Sequence, residues 1–231
     1  MTGRTPSVIE LDPAISPPAA LPDRIYATLK HRILTCVMRP GERIVEKDLC
    51  KEMQVSRTPL REAFNRLSLE GLIVLSPYRG YAVAPVTVDG YRELCELRRI
   101  VEGGTAARAA ETATAQDTQR MLETAETLYT PGDRESYLGY LRKNSAFHLA
   151  VVQSTKNRQL EAILMSALDR HQRPLYLGLD VGIDGAASTR EHLEITEAVR
   201  EHDPDRARAL MVQHIAKAEE RIVGALRAAG F

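Results

Sequence analysis

Apolar residues in the first third of the chain recur mainly with the spacing of an amphipathic helix. In the segment 56–70 they stand at positions i, i+3, i+4 and i+7, which are Leu60, Ala63, Phe64 and Leu67. Because an α-helix has about 3.6 residues per turn, these side chains share one face. The spacing predicts a helix over 56–70, and similar stripes predict helices over 21–38 and about 46–53.

Beyond this helix the spacing changes to the alternation of β-strands. The runs 72–75 and 81–84 are short and apolar, and a basic segment with proline and glycine separates them. Turn residues between two such runs indicate a β-hairpin. Three helices followed by a two-stranded hairpin predict a winged helix-turn-helix over residues 21–84, in which the helix 56–70 enters the major groove of DNA.

The remaining two thirds of the chain has a helical spacing almost throughout. After a linker at 85–88 we expect an all-helical domain over 89–231, with helices at about 88–112, 115–129, 133–154, 157–176, 188–202 and 204–229. Residues 1–20 hold four of the twelve prolines, which predicts a flexible N-terminal tail. The predicted fold class is mainly α, with an N-terminal winged helix and a C-terminal helical bundle, whose interior could hold a ligand or metal.

The composition is that of a globular protein. The 231 residues are 44% apolar and 27% charged, with a formal net charge of zero. No apolar run approaches the roughly 18 residues of a membrane span, and no signal-peptide pattern begins the chain, so we expect a cytoplasmic protein without a membrane partner. The cysteines have no metal-site or redox spacing and are interpreted as packed thiols: Cys36, Cys50 and Cys95.

A row of polar residues lies on the face of the helix 56–70 that the apolar stripe does not use. Arg57, Arg61 and Asn65 stand four residues apart, so they align along the helix. Such a row is usually only a solvated surface. The predicted winged helix carries eleven Lys or Arg against seven Asp or Glu, whereas the segment that follows carries nineteen against twenty-two. That excess alone is weak evidence, but together with the wing it favours contact with DNA.

An ordered set of motifs in this segment resembles the DNA-binding domain of GntR-family transcription regulators. The motifs are RPGERI at 39–44, EKDL at 46–49, VSRTPLREA at 55–63 and EGLI at 70–73. The resemblance implies DNA contacts by Lys47, Ser56, Arg57, Thr58, Arg61 and the wing-tip residue Gly80. The family usually has Gly in the turn where this chain has Gln54, so we expect Gln54 in a left-handed conformation that costs about 1 kcal/mol.

Three histidines lie on three separate predicted helices of the C-terminal part: His148, His192 and His214. Asn144 stands one turn before His148, on the same helical face. Three neutral imidazoles and one oxygen ligand would suit zinc, nickel, manganese or iron(II). The residues alone leave another interpretation open, because a histidine on an amphipathic helix is more often packed or solvent-exposed than bound to a metal.

The segments NSAFH at 144–148, EHLEITEAV at 191–199 and QHI at 213–215 resemble the metal-ligand segments of the FCD effector domain. This domain is the helical partner in the FadR-type branch of GntR regulators. The resemblance implies a divalent metal, with zinc or nickel favoured over manganese or iron, and the ligands Asn144, His148, His192 and His214. Because Asp is commoner at the position of Asn144, the missing charge should weaken metal binding. The other histidines match no motif and are interpreted as surface or packing residues: His31, His171 and His202.

Arg98 occupies a position where FCD domains usually carry Arg. It could pair with the carboxylate of an effector. The alternative is that Arg98 forms an ion pair on the protein surface with Glu102, which stands four residues later on the same helix.

Together these patterns predict a homodimeric transcription regulator, not an enzyme, that binds a palindromic operator in double-stranded DNA. The expected effector is a small organic acid bound near the metal, and the resemblance favours a repressor that this ligand releases. The alternative is a metal-dependent hydrolase with an accessory winged helix and Glu191 or Glu194 as general base. A DNA-architectural protein is a further alternative, but it would have no use for the histidines of the helical part.

Overall fold

A computed structural model of the chain describes residues 20–76, 80–126 and 128–231 and has the predicted mainly α architecture. Within these residues, the N-terminal winged helix-turn-helix consists of α1 (Leu21–Leu34), α2 (Glu46–Met53), α3 (Arg57–Leu69), β1 (Ile73–Ser76) and β2 (Gly80–Val83). The C-terminal bundle consists of α4 (Val88–Thr112), α5 (Ala115–Ala125), α6 (Arg134–Ser154), α7 (Arg158–Val181), α8 (Gly185–Arg200) and α9 (Pro204–Ala228). The expected tail, apart from Ala20, and the hairpin tip at 77–79 lie outside the described residues.

The apolar stripe of α3 lies at the centre of the N-terminal core, as its spacing predicts. Its four members are fully buried: Leu60, Ala63, Phe64 and Leu67. Phe64 also contacts Tyr81 of β2, with ring centroids 4.7 Å apart. The two strands are antiparallel, with Ile73 opposite Val83, and both of these residues belong to the same core. The wing is therefore packed against α3 through apolar side chains.

Two turns of the winged helix use left-handed backbone at residues other than glycine. α1 ends at Leu34, earlier than predicted, and the chain reverses at Cys36, which has φ 54°. Gln54 follows α2 with φ 55° and ψ 43°. This left-handed conformation is the one predicted for the position, where the family usually has glycine. This conformation costs about 1 kcal/mol for a residue with a side chain. The turn keeps its hydrogen bonds, because the N–H groups of Gln54 and Val55 both donate to the carbonyl of Cys50.

Some helices of the bundle begin or end at other residues than predicted, because capping residues determine where they stop and start. α7 continues through Pro174 and stops only at Gly182, whose φ of 87° ends the helix. Asp184 then accepts hydrogen bonds from two N–H groups of the first turn of α8, so α8 begins earlier than predicted. α5 ends earlier than predicted, at Ala125. None of the helices in the described ranges is long and apolar enough to cross a membrane.

Helix α7 contacts both the interior of the bundle and the winged helix. Nζ of Lys30 on α1 lies 2.5 Å from Oδ2 of Asp169 on α7 and 2.9 Å from Oε2 of Glu70. The guanidinium of Arg173 on α7 donates to the carbonyl oxygen of Ala84 at 2.5 Å. These contacts join α1 and the residue that follows β2 to the bundle.

Candidate DNA-binding face and metal centre

The positions that the GntR motif assigns to DNA are all exposed: Lys47, Ser56, Arg57, Thr58, Arg61 and Gly80. Three of them stand at the start of α3, where the first N–H groups have no partner within the helix. Ser56 is the N-cap residue with φ −79° and ψ 168°, but its hydroxyl makes no capping hydrogen bond. The hydroxyl and the first N–H groups of α3 can therefore donate to a phosphate.

Two arginines of α3 have different partners. Arg61 pairs with Glu46 of α2 at 3.0 Å, and its side chain is 57% exposed. An exposed pair of this kind is weak, so Arg61 can exchange Glu46 for DNA. Arg66 binds Asp23 of α1 at 2.6 Å and lies 3.8 Å from the ring centroid of Tyr26. Arg66 therefore contacts α1 from α3.

Three buried histidines meet inside the bundle. His148 of α6, His192 of α8 and His214 of α9 each place one nitrogen within 4.8 Å of the other two. None of the three is more than 3% exposed. The structure therefore brings together three of the four residues that the sequence nominates as metal ligands.

A hydrogen-bond acceptor behind each imidazole determines which nitrogen faces the centre. Nδ1 of His192 lies 3.1 Å from the carbonyl oxygen of Ala125. Nδ1 of His214 lies 2.7 Å from Oε2 of Glu191, and Nδ1 of His148 lies 2.5 Å from Oε2 of Glu102. Hydrogen bonds from Nδ1 of His192 and His214 fix the proton there and leave each Nε2 its lone pair, and the carboxylate of Glu102 beside Nδ1 favours the same tautomer in His148. Nε2 of His192 has no hydrogen-bond partner among the described residues. This is the arrangement that imidazole ligands adopt around a metal.

The distance between two of these nitrogens fits a small divalent ion. Nε2 of His148 and Nε2 of His214 lie 3.4 Å apart. Two lone pairs that face each other repel unless a cation or a proton lies between them. Zn–N bonds of about 2.1 Å at a tetrahedral angle would separate two nitrogens by about 3.4 Å. The residues present therefore fit a metal of this size.

Burial keeps the three imidazoles in the neutral form that a metal requires. It lowers the pKa of His214 to about 4, lowers the pKa of His148, and lowers that of His192 well below its ordinary value. Glu102 behaves differently. Burial raises its pKa, but the guanidinium of Arg98 and the adjacent hydrogen bonds lower it by more, so Glu102 is a buried carboxylate.

Arg98 faces the same centre from α4. Its Nε donates to Oε1 of Glu102 at 2.6 Å, and its Nη2 lies 3.3 Å from Nε2 of His148. The pair of Arg98 with Glu102 thus exists, but it is 1% exposed and lies inside the bundle rather than on the surface. Asn144 is 4% exposed and lines the same cavity. The cavity has a volume of about 10 Å³, which is room for roughly one water molecule.

Two further residues of the centre belong to no motif. Glu102 stands one helical turn after Arg98, and the only sequence signal for it was the spacing of that pair. His171 of α7 is 3% exposed, lines the cavity and lies 3.3 Å through Nδ1 from the hydroxyl of Tyr91. Of the two interpretations offered for His171, a surface residue or a packed one, the structure shows the packed one. His171 is also part of the wall of the centre.

The two residues considered as a general base do not suit hydrolysis. Glu194 is exposed on α8. Burial raises the pKa of Glu191, but hydrogen bonds from His214 and Arg221 lower it by more, to about 2. A carboxylate with so low a pKa is a weak base, and its contact with His214 is that of an orienting group. The geometry gives no support to the hydrolase alternative.

A winged helix-turn-helix with an exposed recognition helix, joined to a helical bundle, defines a DNA-binding transcription regulator. Residues 21–83 match the gntR family of bacterial regulatory proteins, and residues 93–217 match the FCD domain. The second match alone covers more than half of the chain. The protein belongs to the GntR family of DNA-binding transcription regulators, in the group that carries an FCD domain.

Known proteins are similar over most of the chain. It is 31% identical over 196 residues to an uncharacterized HTH-type transcriptional regulator in an unstable DNA locus of Streptomyces ambofaciens, covering 83% of this chain and 80% of that protein. It is 29% identical over 224 residues to the galactonate operon transcriptional repressor of Escherichia coli K12, covering 87% and 96%. The crystal structure of a GntR transcriptional regulator from Rhodococcus sp. RHA1 shares the fold, with a TM-score of 0.72 at 23% identity over 89% of this chain and 99% of that one.

Proposed function

We propose that this regulator is a homodimeric repressor whose bundle binds a divalent metal and a small organic acid, and that the acid releases it from DNA. The observation that carries the proposal is the convergence of three imidazole nitrogens beside the buried guanidinium of Arg98. The metal would be held by Asn144, His148, His192 and His214. When bound, it would supply a positive centre to which a carboxylate can coordinate.

Three neutral nitrogens and one amide oxygen favour zinc or nickel over manganese or iron. The carboxylates of Glu102 and Glu191 lie behind the imidazoles of His148 and His214, and such carboxylates strengthen imidazoles as ligands. Asn144 brings no charge where Asp would bring one. We therefore expect a metal that exchanges more readily than at a site with an aspartate.

Arg98 is the group that would recognise the acid. Its guanidinium can form a bidentate pair with a carboxylate, but it now contacts Glu102 and His148. Because the cavity measures only about 10 Å³, an organic acid can enter only if surrounding side chains move. This need for movement links occupancy of the centre to the position of α4, which carries Arg98 and begins five residues after the end of β2.

On the DNA side, two recognition helices related by two-fold symmetry would read a palindromic operator. Arg57 and Arg61 are the candidates for guanine edges, and the remaining contacts to phosphates would come from Lys47, Ser56, Thr58 and Gly80. Repression is supported by the relative that is named as the transcriptional repressor of the galactonate operon. Galactonate is itself a small carboxylate, which supports the class of effector.

The experiment that tests the proposal is the selection of genomic fragments by the purified protein at near-physiological salt, followed by sequencing of the retained DNA. This salt suppresses binding to phosphates alone. We expect a few palindromic sites, and we expect organic acids handled by the products of adjacent genes to release them. If the retained fragments shared no sequence, the result would contradict the proposal that the protein recognises specific operators. If the protein bound specific sites but no acid released it from them, with or without metal, the result would contradict the proposed organic-acid effector.

A further inference from the structure

A second cavity lies between the winged helix and the bundle, and its lining includes none of His148, His192 and His214. Its volume is about 170 Å³. The segment that follows β2 forms one wall, and α7 and the first turn of α4 form the others. The lining includes Gly71, Ala84, Thr87, Tyr91, Arg170 and Arg173.

Both charged residues of this lining are arginines. Arg173 is only 4% exposed, and its Nε atom has no hydrogen-bond partner within the described ranges. Its one hydrogen bond there goes to the carbonyl of Ala84. Arg170 donates to the carbonyl of Ser166 at 3.4 Å. In the described part of the chain, no Asp or Glu lies within 4.0 Å of either guanidinium.

A buried guanidinium without a counter-ion is unfavourable. Charged groups inside proteins are normally paired, because removal of an ion from water is costly. Burial lowers the pKa of Arg173, which is the effect of this unpaired environment. The start of α4 adds positive potential, since its N-cap residue Thr87 and Gly90 of its first turn also line the cavity. The cavity is therefore a region of positive charge with no negative group of its own among the described residues.

We propose that this cavity binds a small anion, either phosphate or a short carboxylate, between the guanidinium groups of Arg170 and Arg173. The volume sets the size of the ligand. A cavity of about 170 Å³ has room for an anion of a few heavy atoms, and it is smaller than the sites that take drug-sized molecules.

The position of the site gives the anion a second role. It would contact α7 of the bundle and the segment that joins the wing to α4, which are the elements that Arg173 already connects through Ala84. A bound anion would therefore hold the winged helix against the bundle. This site is independent of the proposed metal and effector.

The test is isothermal titration calorimetry of the full chain with inorganic phosphate and, separately, with acetate. The protein is treated with a chelator first, so that no metal can bind the anion, and sodium chloride keeps the ionic strength constant. We expect saturable binding of one anion for each chain. Arg170→Gln should weaken it at least about ten-fold, Arg173→Gln should abolish it, and Arg158→Gln, at the exposed start of the same helix, should leave it unchanged.

The stronger of the two anions identifies the chemical class of the ligand. If Arg173→Gln fails to fold by circular dichroism, Arg170→Gln decides, because Arg170 is only partly buried. Equal affinity in the wild type and Arg170→Gln would overturn the site. Absence of saturable binding of either anion to the wild type would also overturn it and leave water as the partner of Arg173.

Discussion

Oε2 of Glu191 lies 2.7 Å from Nδ1 of His214. Arg221 holds the same carboxylate through two hydrogen bonds of 3.0 Å. The contact determines the tautomer of His214 and joins α8 to α9 beside the candidate centre. A ligand that is oriented in this way loses little conformational freedom when a metal binds.

Glu191→Gln should weaken metal binding about 10- to 100-fold, because an amide holds the imidazole less strongly than a carboxylate does. Competition with a chromogenic chelator measures the affinity. Glu194→Gln, at the exposed neighbouring position on α8, is the matched control and should retain wild-type affinity. Equal affinity of Glu191→Gln and the wild type would show that Glu191 does not support a metal ligand.

His148→Ala should remove the difference in melting temperature between the metal-loaded and the chelated protein. A metal that binds only the folded state stabilises it by mass action, and the variant lacks one of three imidazoles. Differential scanning fluorimetry with and without a chelator measures the effect. His31→Ala, at an exposed position of α1, should keep the difference. A wild type whose melting temperature does not respond to zinc, nickel or chelation would contradict the metal centre.

Arg57→Ala should weaken operator binding by about 1–3 kcal/mol while the helical content stays unchanged, because Arg57 is exposed at the start of α3 and has no role in the core. Fluorescence anisotropy with a selected operator measures the affinity, and circular dichroism measures the fold. Arg142→Ala, which is exposed on α6, should bind like the wild type. Loss of helical content together with DNA binding would reassign Arg57 to a structural role.

Gln54→Gly should stabilise the protein by about 0.5–1 kcal/mol, because glycine adopts the left-handed conformation of this turn without steric cost but loses more entropy on folding. Urea unfolding measures the difference. The comparison is Gln119→Gly, at an exposed helical position of α5, which should be destabilised by about 1 kcal/mol. Destabilisation by both changes would mean that the side chain of Gln54 makes a contact that outweighs its backbone strain.

Some features of the centre could be predicted from local patterns, and others could not. The segments around His148, His192 and His214 share motifs with FCD domains, so these residues could be nominated without a structure. Glu102 and His171 could not. Glu102 shows only a helical spacing to Arg98, and nothing local distinguishes a surface pair from a buried one.

Most of the fold follows from the order of apolar and polar residues, because helix and strand periods differ and each segment carries its own pattern. That order determined the winged helix, the wing and the helical bundle, and the resemblance to domains that usually have glycine at this turn predicted the left-handed conformation of Gln54. Helix ends were less well predicted, since α7 and α8 depend on the caps at Gly182 and Asp184.

Only the tertiary structure decided what the polar residues do inside the bundle. Packing of α6, α8 and α9 brings nitrogens from residues 148, 192 and 214 within 4.8 Å of one another. The same packing buries the pair of Arg98 and Glu102 and leaves Arg173 without a carboxylate partner among the described residues. These relations join segments far apart in the chain, so their distances and burial depend on how whole helices pack and not on any local pattern.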